Sequence, residues 1–130
     1  MSGSEYWRKQ SLCDAMTAGD PRAYLLHIRD CCEELVQCAS LRETESVPSS
    51  ILFNAVCRNL EIIGEASRKV GADFRAAHPA IPWREMNDLR NVLIHQYEGA
   101  DPGLVWAIVE RDISPLLAAV RDPLEVEGGK

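Results

Sequence analysis

Three long stretches of this chain place apolar residues at three- and four-residue steps, and no stretch carries the two-residue alternation of a strand. The first stripe is Tyr24, Leu25, Ile28, Cys32, Leu35, Val36 and Ala39. The second is Leu52, Ala55, Val56, Leu60, Ile63, Ala66 and Val70, and the last is Leu104, Val105, Ile108, Val109, Leu116, Leu117 and Val120. A helix of 3.6 residues per turn gathers such residues on one side, and that side must be buried against other helices where no sheet is available. The chain is therefore expected to be all-α, a bundle of four main helices with short connections. Its 130 residues and 46 % hydrophobic content suit a single core.

Boundary signals divide the bundle. Asp20 followed by Pro21 reads as an N-cap and first helical residue. Ser40 to Pro48 is polar, lacks periodicity and ends in proline, so it reads as a loop, after which Ser49 or Ser50 is the expected cap of the second helix and Gly71 its end. Asp73 to His78 has room for one or two turns before Pro79 and Pro82, with Pro82 placed as the first residue of the next helix and Trp83 as its apolar anchor. Glu98-Gly99-Ala100 ends that helix, and Asp101-Pro102 repeats the cap signal. Pro115 is expected to kink the last helix near Glu110 to Ser114 or to divide it in two. The domain is expected to span residues 20–122, preceded by an extension over 1–19, where Trp7, Leu12 and Met16 mark a weak helical period, and followed by a flexible tail over 123–130.

Fourteen basic against twenty acidic residues give a net charge of −6, which argues against a protein that binds polyanions over a broad surface. A local basic seat on an acidic body is the alternative, because Arg58, Arg68, Lys69, Arg75, Arg84 and Arg90 all fall in the middle third while several acids sit in expected loops or tails. No apolar run is long enough to span a bilayer, and Met1 to Glu5 lacks the basic start and apolar stretch of a signal peptide, so a cytoplasmic protein is expected. Cys13, Cys31, Cys32, Cys38 and Cys57 are odd in number and form no Cys-x-x-Cys pair, which fits reduced, partly buried thiols. His27, His78 and His95 lie on three separate elements without carboxylate partners at ligand spacing, so neither a metal site nor a cofactor is expected. A glycine-rich phosphate loop is lacking, as is any strand on which a serine nucleophile could stand.

The chemistry concentrates in Leu89 to Tyr97. At about 100° per residue from Arg90, Asn87 falls near 60°, Asn91 near 100°, His95 near 140° and Asp88 near 160°. Met86, Leu89, Val92 and Leu93 occupy the opposite side, roughly 200° to 320°, and Tyr97 borders the polar arc at about 340°. An imidazole that exchanges protons near neutral pH beside a guanidinium that holds a phosphate is sufficient for cutting RNA without a metal. The plainer role for His95 is a bonded core histidine, and for Tyr97 a ring that only packs. On the preceding helix Arg58, Glu61 and Glu65 are spaced for a side-chain network, which is either a solvated ladder or support that orients Arg90 or His95 from across the bundle. Gly64 leaves room there for another helix to come close.

Arg90, Asn91, His95 and Tyr97 fill the pattern Arg, polar residue, three residues, His, any residue, Tyr, and so the chain resembles the HEPN ribonucleases. Asn59 to Ala66, Ile81 to Glu85, and Val105-Trp106 with Asp112 extend the likeness to the HepT-type toxin branch, from about Asp20 to about Asp122. The resemblance implies a HEPN-type four-helix up-and-down bundle with a short extra helix, acting as a metal-independent endoribonuclease toxin in a type VII-like toxin–antitoxin module. It implies Arg90 and His95 as catalytic residues and a homodimer that brings two His95 residues to one cleft, and the spacing of Asn91, Asp88 and Glu65 suits them to a supporting role. RNA and not DNA would be the substrate, since the reaction starts at a ribose 2′-hydroxyl. The expected partner is a minimal nucleotidyltransferase antitoxin that adenylylates Tyr97. The alternative is a HEPN domain that does not cleave and serves as a binding module for such a nucleotidyltransferase.

Overall fold

A computed structural model of the chain describes residues 20–97 and 102–128. The expected extension over 1–19, the turn over 98–101 and the last two residues lie outside the described residues. Among the described residues there are helices and no strand: α1 (Pro21–Thr44), α2 (Ser49–Lys69), the short α3 (Ala72–Ala77), α4 (Trp83–Tyr97) and α5 (Pro102–Gly128). The all-α expectation is met.

α1 starts where Asp20-Pro21 places it. The Asp20 carboxylate accepts from the Arg22 backbone N–H at 3.0 Å, and the Asp20 carbonyl accepts from Ala23 at 3.1 Å, so two of the orphan donors of the first turn are satisfied. Its far end is later than expected. The helix continues through Thr44 because Arg42, read as loop, lies 4.3 Å from the Trp106 ring centroid and 3.4 Å from the Glu110 carboxylate on α5. Such tertiary contacts outweigh a polar composition. Glu45 closes the helix in the left-handed region, at φ 55 and ψ 21.

α2 begins at Ser49, but neither serine caps it. The carbonyl of Pro48 accepts from Ile51 and Leu52, both at 3.1 Å, with no side-chain cap, so both serines are helical residues. Leu52, Val56, Leu60, Ile63, Ala66 and Val70 are buried, as their spacing requires. Gly71 takes φ 91, and an added Cβ would meet nothing within 4 Å, so the glycine serves the backbone turn and not a tight fit. Pro82 lies one residue ahead of α4, its carbonyl accepting from Met86 at 3.1 Å, a shift of one from the expected first helical position. Trp83 anchors that end: its indole N–H donates to the His78 carbonyl at 3.0 Å, and Phe74 meets it edge-on at 6.3 Å.

α5 runs unbroken from Pro102 to Gly128 across Pro115 and Pro123, so the expected division does not occur. Ile113, Leu116, Leu117 and Val120 are buried on both sides of the exposed Pro115, and their packing carries the helix through the missing donor. The expected tail is also helix through residue 128, with Leu124 buried at 5 %. Two members of the apolar stripes are on the outside: Val36 is 42 % and Leu104 is 50 % exposed.

α1 packs against α2 and α5, and α2 packs against α4. Arg42 with Glu110 and Arg121 with Glu33 show that α1 and α5 run in opposite directions, while Ser67 against Asn87 shows the same of α2 and α4. The helices thus stand side by side in the order α4, α2, α1, α5, and among the described residues α4 touches α5 only slightly. Within the described residues no helix is long and apolar enough to cross a membrane.

Candidate active site

α4 presents the two sides expected of it. Met86 and Leu89 are buried at 2 % and 7 % against the core, Val92 and Leu93 are half-buried, Asp88 and Asn91 are exposed, and Asn87 is half-buried. The backbone is helical from Trp83 through Tyr97, so the sequence positions Arg90, His95 and Tyr97 belong to one continuous helix. Their side chains lie outside the described part of the structure.

Beside the described half of the arc is an open groove of about 600 Å³, lined by Asn87, Asp88 and Asn91 from α4, Arg68 from α2 and Arg75 from α3. Behind the lining residue Asn87 lies Ser67. This residue is fully buried, and its hydroxyl shares a hydrogen between the Gly64 carbonyl at 2.8 Å and Asn87 Oδ1 at 3.0 Å. Gly64, itself buried, belongs to the face of α2 that α4 packs on. The Arg75 guanidinium donates from Nη1 to the carbonyls of Ser67 at 3.4 Å and Arg68 at 3.3 Å, two of the last carbonyls of α2, which lack helical partners.

Two pairs of the network expected on α2 are described within that helix. Arg58 and Glu61 pair at 3.3 Å and are more than half exposed, the solvated ladder and not a link to α4. Glu65 pairs with Arg68 at 3.6 Å and so touches the groove through that arginine. Sequence reasoning counted Arg68 and Arg75 only as part of a basic middle third and passed over Ser67. A serine inside the apolar stripe of α2, one helical turn after Gly64, was the signal for it.

A second hollow, of about 220 Å³, lies between α1 and α5, lined by Arg22, Arg29, Glu33, Arg121 and Leu124. Arg29 pairs there with Asp30 at 3.0 Å and Arg121 with Glu33 at 3.2 Å, so most of its charge is matched, and it is remote from α4. Among the described residues no three His, Cys, Asp or Glu side chains gather as a metal-binding set. Cys31, Cys32 and Cys38 are buried and Cys57 is half-buried; burial pushes the Cys38 and Cys57 thiols above their ordinary range.

The family model described as "Ribonuclease HepT-like" matches residues 28–122, a span that contains the groove and the whole Arg90 to Tyr97 pattern. The chain belongs to the HepT-like ribonuclease family. Among HepT-like relatives, "Putative RNase MJ1380" of Methanocaldococcus jannaschii is 40 % identical over 99 residues, covering 75 % of this chain and 91 % of that protein. "Putative RNase TTE0752" of Caldanaerobacter subterraneus subsp. tengcongensis is 35 % identical over 108 residues, 82 % of this chain and 96 % of its own. "Probable ribonuclease HepT" of Thermococcus cleftensis is 53 % identical over 62 residues, 48 % of this chain and 56 % of that one. No solved structure matches the chain. The all-α bundle described above is the HEPN-type architecture that HepT-like membership implies.

Proposed function

We propose that this protein is a metal-independent endoribonuclease, the toxin of a type VII-like toxin–antitoxin module. What carries the proposal is the coincidence of two things on one helix: a family match that spans residues 28–122, and a polar face on α4 whose described members, Asn87, Asp88 and Asn91, open onto a groove with two arginines. His95 takes the proton of a ribose 2′-hydroxyl as that oxygen attacks the adjacent phosphorus, and Arg90 neutralises the charge growing on the phosphate oxygens. The 5′-oxygen leaves with a proton and the product is a cyclic phosphate. Asn91 holds the imidazole or the phosphate, Asp88 biases the protonation of the histidine, and Glu65 orients Arg90 or His95 from across the bundle. A homodimer would supply a second His95 to protonate the leaving oxygen. A minimal nucleotidyltransferase silences the site by moving adenylate from ATP to the Tyr97 hydroxyl, releasing pyrophosphate. The added phosphodiester can pair with Arg90, and the nucleoside fills the RNA path.

The test is cleavage of a mixed RNA in excess chelator, with and without the partner and ATP. His95→Ala and Arg90→Ala should each lose at least 100-fold in rate, the scale of a general base or an oxyanion donor, with an unchanged melting curve. Tyr97→Phe should cut RNA as the wild type does and go on cutting it in the presence of partner and ATP. Full activity in His95→Ala would move the site elsewhere, and a Phe variant that the partner still silences would make the inhibition simple binding.

A further inference from the structure

The groove next to α4 is built more firmly than a chance hollow between helices. Its α2–α3 wall carries donors in fixed places. Arg75 is half-buried and tied through Nη1 to two carbonyls at the end of α2, which leaves the Nε and Nη2 side of a planar fork for the groove. Arg68 stands beside it, engaged through Nη1 by Glu65 at 3.6 Å. Asn87 accepts the Ser67 hydroxyl through Oδ1, so its NH₂ is the part left to line the groove, and Ser67, with no exposed surface, cannot swing away. Two guanidiniums from α2 and α3, with an amide NH₂ facing them from α4, match the oxygens of a phosphodiester. Asp88 is the one carboxylate among the described lining residues, so a phosphate is favoured beside the arginines and Asn87 and repelled from the Asp88 carboxylate. Asn91 and Asn87 precede His95 by one and two turns, about 6 and 12 Å along the helix axis.

We infer that this groove binds a backbone phosphate of the RNA flanking the bond to be cut, held by Arg75, Arg68 and the Asn87 amide, so that the substrate strand enters over the junction of α2 and α3. The inference rests on the ribonuclease reading for its ligand. It adds residues outside the Arg-to-Tyr pattern and a direction for the strand. It also accounts for how a chain of net charge −6 can hold a polyanion, since the positive charge is needed at one wall and not over the surface.

The experiment uses the full chain carrying His95→Ala, so that RNA is bound and not cut, with a fluorescein-labelled 12-nucleotide single-stranded RNA followed by anisotropy between 50 and 200 mM KCl. Each phosphate contact on a single strand contributes roughly 0.7 to the slope of log affinity against log salt. Adding Arg68→Gln and Arg75→Gln, which together remove the one phosphate contact, should lower the slope by about 0.7 and weaken binding about tenfold at the lower salt. Arg68→Gln alone, at a half-exposed side chain that no other element needs for packing, should remove about half of that slope, which guards against a folding defect from losing the Arg75 cap. Arg111→Gln with Arg121→Gln, the same charge change on α5, should leave the slope as it was. Equal slopes in all variants, or an equal loss in the α5 control, would overturn the groove. Cleavage by the unmodified chain separates the two readings: slope loss without any cleavage leaves the groove standing and removes the enzyme, while cleavage without slope loss removes the groove alone. No binding of the RNA at all removes both.

Discussion

Cys32 lies on the buried side of α1, where burial above all, then Cys31 and Glu33, push its thiol from the ordinary 9.0 up to about 12, with Arg121 opposing. Between those values the unfolded chain has lost a proton that the native state keeps. Stability contributed by this group is therefore complete below pH 9 and falls as pH rises toward 12, by up to roughly 1.4 kcal/mol per unit. Urea midpoints at pH 8 and pH 10.5 should show it: the wild type loses more stability over that interval than Cys32→Ala, by about 1 kcal/mol or more. Parallel losses would mean that the thiol ionises freely in the folded state. Single residues were also where sequence reasoning reached unevenly. The arc of Asn87, Asp88 and Asn91 follows from helical spacing alone, and their exposure matches it. Ser67 and Arg75 were not legible as parts of a site, because a hydroxyl bonded to another helix and a guanidinium capping a helix end depend on neighbours that no local pattern names.

Helix starts written in side-chain chemistry were readable and ends held by distant contacts were not. Asp20-Pro21 places the first residue of α1 correctly, whereas the last turn of the same helix depends on Trp106 and Glu110, more than sixty positions away. α5 went further against local preference. It keeps Pro115 inside, exposed, with Ile113 before it and Leu116 after it buried, and so gives up a backbone hydrogen bond for the sake of a continuous apolar face. A proline in a helix interior costs about 3 kcal/mol relative to alanine. Pro115→Ala should accordingly raise stability by about 1–3 kcal/mol in urea unfolding, since little packing is lost at an exposed position. A destabilised variant would show that a bend at Pro115 is what fits α5 to α1.

At the scale of the molecule the fold class was legible from periodicity, and the side-by-side order of the helices was not, because apolar stripes say which side is buried and not which neighbour covers it. That order leaves α4 at an edge, with α2 as its main support among the described residues and Ile94 48 % exposed on its outer part. An edge helix carrying the proposed catalytic residues can meet its own copy across a two-fold axis. Light scattering at micromolar concentration should give about 29 kDa, twice the 14.5 kDa chain, and a 14.5 kDa species there would remove the composite site. The edge position has a kinetic side as well. Met86 and Leu89 are the buried apolar side chains described on α4, with Trp83, Val92 and Leu93 packed half-buried against the same core. Should α4 open ahead of α1, α2 and α5, its amides would exchange with solvent faster than theirs, which hydrogen exchange reads helix by helix. A segment that opens on its own account offers its backbone to a modifying enzyme without the scaffold ever having to melt, and pairing with a second copy would close that door.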